Sequence, residues 1–104
     1  MKTNRKYFWS EVFPLLEIQG EGTRLFLNGL TTADLKDAHV GSIVKGCWLN
    51  VSARVRALLE IRLQENGAEV LVLVGNGEEV VNGFQEAIFP ADQIKLEEIG
   101  KMRR

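Results

Sequence analysis

"ARVRALLEIRLQENGAEVLVLV", residues 53–74, decides the fold. Val55, Ala57, Leu59, Ile61 and Leu63 alternate with Arg54, Arg56, Leu58, Glu60 and Arg62, the period of two by which a strand buries one face and exposes the other. Asn66-Gly67 and a second apolar run, "AEVLVLV", follow at once. The tight turn favoured between twisted strands needs positive φ at both central residues, and Asn-Gly is the pair that tolerates it. The two runs are therefore expected to pair antiparallel.

Working outward toward the C-terminus, Asn76 stands three residues before Glu79, a capping-box-like helix start with an acidic first turn that suits the helix dipole. Val80, Val81, Phe84 and Ile88 make the apolar stripe of that helix, Pro90 stops it, and "QIKLEEI" (93–99) alternates as a last strand. Toward the N-terminus, "GSIVKGCWLN" (41–50) sets Ile43, Lys45, Cys47 and Leu49 against Val44, Gly46 and Trp48. Before it, "QGEGT" (19–23) turns a short apolar strand, Phe13 to Ile18, into a helix over Arg24 to Leu30. The element order is β-α-β-β-β-α-β. This is an α+β domain with a mainly antiparallel sheet and two helices on one face. The expected organisation is an N-terminal arm over 1–12, a domain over 13–100 and a tail over 101–104.

With 104 residues, the chain has room for one core. A formal net charge of -1 provides no field for holding a polyanion, and the strand faces lack the aromatic platforms on which RNA bases stack, so no nucleic-acid partner is expected. One cysteine, Cys47, and one histidine, His39, cannot make a disulfide or a zinc set, which fits a reducing compartment and no metal. The opening "MKTNRKYFWSEVF" lacks a signal-peptide core, and "VLVLV" is far too short for a membrane span. A cytoplasmic protein without membrane contact is expected. The aromatics Tyr7, Phe8, Trp9 and Phe13 read more simply as packing on their own domain than as a membrane-surface arm.

Candidates for chemistry are few. Cys47 lies in a strand and His39 in a loop eight positions earlier, so no nucleophile and base converge; a small buried hydrophobe and a surface residue describe them better. Glu78-Glu79 and Glu97-Glu98 are consecutive and read as solvated faces. "GNGEE" precedes a helix, but its two carboxylates would repel a phosphate. What remains is the strand face Arg54, Arg56, Leu58, Glu60, Arg62. It is either an ordinary solvent side with cross-strand pairs, or a half-polar platform for an anionic or heterocyclic ligand or another copy of the chain; the arginine fork suits carboxylates.

"GEGTRLFLNGLTTADL" (20–35), then Leu49-Asn50, then "RVRALLEIRLQENGAEVLVLV" (54–74) resemble the folate-binding domain at the N-terminus of the glycine cleavage T-protein (aminomethyltransferase) and of YgfZ-type proteins, over about Phe13 to Ile99. The resemblance implies a tetrahydrofolate-binding fold, with the polar loop Thr31 to Asp34 shaping the sheet end beside a ligand cavity. Where aminomethyltransferases carry paired aspartates, one of them catalytic, this chain has Ala57 and Leu58, so the resemblance implies a non-catalytic module. "KGCW" at Lys45 to Trp48 matches part of the YgfZ signature "KGCYxGQE" without its "GQE". The family's full-length members are expected to cover, with further domains, a sheet face that this chain leaves open. Self-association is then expected, and the similar N-terminal domain of a tRNA-modifying GTPase is a precedent for a dimer that binds a formylated folate. On this reading the ligand face is Arg56, Leu58, Glu60 and Arg62 with Thr32 and Asn50 nearby. Arg56 and Arg62 would hold glutamyl carboxylates and Glu60 would accept from pterin N–H groups. The alternative expectation is a protein-interaction or assembly subunit that keeps the fold without the ligand.

Overall fold

The structure is a computed structural model that describes residues 12–50, 52, 54–88 and 93–102. Its elements are β1 (Phe13–Gln19), α1 (Thr23–Leu30), β2 (Ile43–Leu49), β3 (Val55–Gln64), β4 (Gly67–Val74), α2 (Gly77–Ala87) and β5 (Lys95–Met102). The expected β-α-β-β-β-α-β order holds. The strands form one antiparallel sheet in the order β2-β3-β4-β1-β5, so β1 inserts between the central hairpin and the last strand. The final strand starts two residues later than its alternation implies and runs on to Met102. The aromatic arm other than Phe13, and Pro90, lie outside the described residues.

One face of the sheet is the core. Ala57, Leu59, Ile61 and Leu63 of β3 are each at most 2% exposed and sit beside Ala68, Val70 and Val72 of β4 and Leu16 and Ile18 of β1. The helices close this face. Leu27 of α1 and Val80 and Phe84 of α2 are fully buried, and Phe84 receives Phe26 and Trp48 edge-on at 6.1 and 5.4 Å between ring centroids. These T-shaped contacts set electropositive ring edges on electronegative faces. Asn76 caps α2 as its spacing implies, its Oδ1 accepting from the Glu79 N–H at 3.0 Å. Among the described residues, no helix is long and apolar enough to cross a membrane.

The hairpin forms, but by different turn chemistry than expected. Gln64 pairs with Gly67, leaving Glu65-Asn66 as the turn. Among the described residues only Gln93 is a non-glycine at positive φ, and Gly67 is not among the positive-φ glycines. Gly67 serves proximity instead: a Cβ there would lie 2.3 Å from the Ile18 carbonyl oxygen at the end of β1.

The polar stretch after α1 ties three elements together. The Thr31 N–H and Oγ1 both bond the Leu27 carbonyl at the helix end, and Asn28 Oδ1 accepts from the N–H of buried Leu35 at 2.8 Å. The Thr32 N–H donates to the Cys47 carbonyl at 2.9 Å, and its Oγ1 accepts from the Cys47 N–H at 2.7 Å. Arg24 donates to the carbonyls of Leu35 and Ala38. The loop thus covers part of the outer edge of β2, where bare strand groups would otherwise recruit another chain. It approaches so closely that a Cβ on Gly46 would be 2.7 Å from the Ala33 nitrogen.

Candidate functional site

Among the described residues the buried side chains of both helices join the core on one side of the sheet; on the other, open side Leu71 is 3% exposed, whereas Ile43, Leu58 and Val74 are exposed. Strand register lays out that open face. One row crosses all five strands as Ile43, Arg62, Glu69, Glu17 and Glu97, and the next holds Lys45, Glu60, Leu71 and Leu15. Arg62 and Glu69 form a cross-strand ion pair at 3.6 Å, with Arg62 about half exposed. At the end of the face Cys47, Leu58 and Val74 stand side by side, with Leu58 38% and Val74 57% exposed.

Of the six residues expected to meet a ligand, the structure brings Leu58, Glu60 and Arg62 together on this face. Arg56 leaves it. Trp48 pairs with Ala57 and Leu49 with Val55, so Arg56 is the extra residue of a β-bulge, and parity changes beyond it. Val55, expected in the core, is 58% exposed. The Arg56 guanidinium instead lies 4.0 Å from the Trp48 ring centroid and 3.3 Å from Glu79 Oε1 on α2, at the rim of the helix-covered side. Its cation–π contact and ion pair bind strand to helix.

Thr32 and Asn50 have structural partners. Thr32 is bonded to Cys47 as described above. Asn50 Oδ1 accepts from the N–H groups of Ser52 and Arg54 at 2.8 and 3.0 Å, and the Asn50 N–H donates to the Arg54 carbonyl, so this side chain folds the β2–β3 connection. Ala57 and Leu58 point to opposite faces: Ala57 is 1% exposed in the core, and Leu58 is on the open side.

The expected concavity is very shallow. Among the described residues, the middle of the open face has an indentation of about 10 Å³, lined by Leu15, Ile43, Glu60, Arg62, Glu69 and Leu71. That is room for a water, whereas small-molecule sites enclose about 300–1,000 Å³. Two wider hollows hold none of the six residues. One, of about 380 Å³, runs between Arg24, Leu25, Asn28 and Lys36 on the outside of α1. The other, of about 360 Å³, lies at the β1–β5 side of the sheet, where Glu17, Gln19 and Glu97 line it together with Gln85, Ile88 and Ile94. Among the described residues, no three His, Cys, Asp or Glu side chains are grouped to hold a metal ion.

The row of carboxylates was not legible as a group. Glu17, Glu69 and Glu97 come from three strands distant in sequence and meet only through the antiparallel register, Glu17 lying directly opposite both others. Alternation within one strand cannot show this.

No protein-family model matches the chain, and no curated protein sequence does. Among solved structures, the crystal structure of the glycine cleavage system aminomethyltransferase T from Bartonella henselae is similar, with a TM-score of 0.75 and 18% identity over 84% of this chain. At that identity the likeness establishes a common fold. The chain spans 24% of the length of that enzyme.

Proposed function

We propose that this chain is a non-catalytic docking module of aminomethyltransferase-like fold, whose open sheet face packs against another protein surface. The observation that carries the reading is the form of that face: exposed Ile43, Leu58 and Val74 interleaved with charged side chains, around an indentation of about 10 Å³. At that indentation the face is too shallow to enclose a small molecule, and its exposed apolar side chains offer contact area to another protein surface. A photo-crosslinking phenylalanine analogue at position 58 tests it in cells, with the same analogue at position 25, on the helix side and 81% exposed, as control. A discrete crosslinked species from position 58 alone is expected. Equal or absent crosslinking from the two positions overturns the reading.

A second reading is binding of a reduced folate, favoured by the shared fold with an aminomethyltransferase and by the sequence resemblance to its folate-binding domain. With Arg56 held against Trp48 and Glu79, Arg62 is, of the two arginines expected to meet glutamyl carboxylates, the one on the open face. The ligand would have to lie between this face and whatever covers it. Calorimetric titration with 5-formyltetrahydrofolate tests this reading, together with thermal protection, which a ligand of the folded state alone must confer. Absence of heat and of protection at sub-millimolar ligand overturns it.

A further inference from the structure

We infer that the surface docked on the open face is a second copy of this chain, packed face to face about a two-fold axis that runs along β4. The inference rests on the docking reading above and adds the identity of the partner. Its first ground is charge. In the row that crosses the whole sheet, the cation Arg62 is on β3 and the carboxylates Glu69, Glu17 and Glu97 are on β4, β1 and β5. Lys45 adds a second cation on β2, and Glu60 and Lys95 are the minority charges of the two halves.

β4 is the middle strand of the five. A two-fold axis along it exchanges β3 with β1 and β2 with β5, so that Arg62 of each copy comes to lie over Glu17 of the other and Lys45 near Glu97. Glu69, on the axis strand, faces Glu69 of the other copy with Arg62 of its own chain as counter-ion at 3.6 Å; the packing makes the Arg62–Glu17 contact twice, as an isologous interface requires. It also relieves an arrangement that is unfavourable in one chain, since Glu17 has like charges directly opposite on both sides. Exposed Val74, on β4 itself, and Leu58, on the adjacent strand, supply apolar contact close to the axis.

The second ground is that the sheet edges are poor places for pairing. The Thr31–Thr32 segment bonds to the outside of β2 at Trp48 and Cys47. Near the end of β5 the register with β1 shifts at Leu15/Leu16, and Gly100 takes φ 125°, an irregularity of the kind that discourages a further strand. Association is therefore directed to the face.

Sedimentation velocity over about 1–200 µM, a range suited to an interface of modest area, tests the inference by charge exchange. Wild type is expected to dimerise. Arg62→Glu alone and Glu17→Arg alone are each expected to weaken the dimer at least tenfold, and their equimolar mixture to restore it, because the mixed dimer has both opposite-charge contacts. Arg62→Glu also faces Glu69 within its own chain, so circular dichroism must confirm its fold. Lys45→Glu with Glu97→Lys is a second exchange, between exposed positions. A wild type monomeric throughout overturns the second copy as partner, and docking itself survives that result if position 58 crosslinks to a different protein. A wild-type dimer that neither exchange weakens and restores overturns the face-to-face arrangement.

Discussion

Replacing Gly83 by alanine should destabilise the protein, although the same change in an ordinary helix stabilises it. Gly83 lies within α2, where alanine is better than glycine by about 1 kcal/mol. Here an added Cβ would stand 2.2 Å from Cη2 and 2.3 Å from Cζ2 of Trp48, against about 3.5 Å for carbon atoms in contact. The indole must retreat by more than an ångström or the helix must lift. Neither is free to move: Trp48 is 4% exposed, edge-on to Phe84 and faced by the Arg56 guanidinium. Overpacking of this kind costs about 1–3 kcal/mol, so the net effect is a loss of about 1 kcal/mol and a fall in Tm of roughly 4–8 °C for a domain of this size. Trp48→Phe removes both offending atoms, and in that background Gly83→Ala should become stabilising. Urea denaturation followed by far-UV circular dichroism on wild type, both single variants and the double variant gives the coupling. A Gly83→Ala protein more stable than wild type refutes the packing of α2 on Trp48.

Other substitutions separate fold from site. Asn76→Ala should cost about 1 kcal/mol in the same denaturation assay, because its Oδ1 caps α2 through the Glu79 N–H. Asn28→Ala strands the N–H of Leu35, a fully buried residue, and should cost about 1–3 kcal/mol by urea midpoint. Arg56→Ala should cost at most about 1 kcal/mol, since its ion pair with Glu79 is largely exposed and screened and the Trp48 contact is modest at a rim. By sedimentation, Arg56→Ala should leave any association unchanged, in contrast to Arg62→Glu.

The strands, the pairing of β3 with β4 and both helices were readable because each rests on local periodicity, a turn signal or a cap. The alternation from Ala57 to Leu63 fixed which side of β3 is buried, and Asn76 marked the start of α2. Three features were hidden. The bulge that turns Arg56 toward Trp48 depends on how β2 pairs with β3, and nothing within either strand announces it. The role of Gly67 depends on β1 passing beside it, a contact across nearly fifty residues. The row Glu69, Glu17, Glu97 depends on two registers at once. Thr32 and Asn50, expected as ligand contacts, hydrogen-bond the β2 edge and the β2–β3 connection. Sequence shows that a polar group is worth placing in a loop; only packing shows whom it bonds.

Cys47 offers the most direct measurement of whether the open face is covered in the cell. It is the chain's single cysteine, half-buried beside Leu58 on that face, so its modification rate by a membrane-permeant maleimide reports access there. If the face docks, labelling in intact cells should be several-fold slower than in lysate diluted far enough to part the complex. Equal rates before and after dilution would contradict docking.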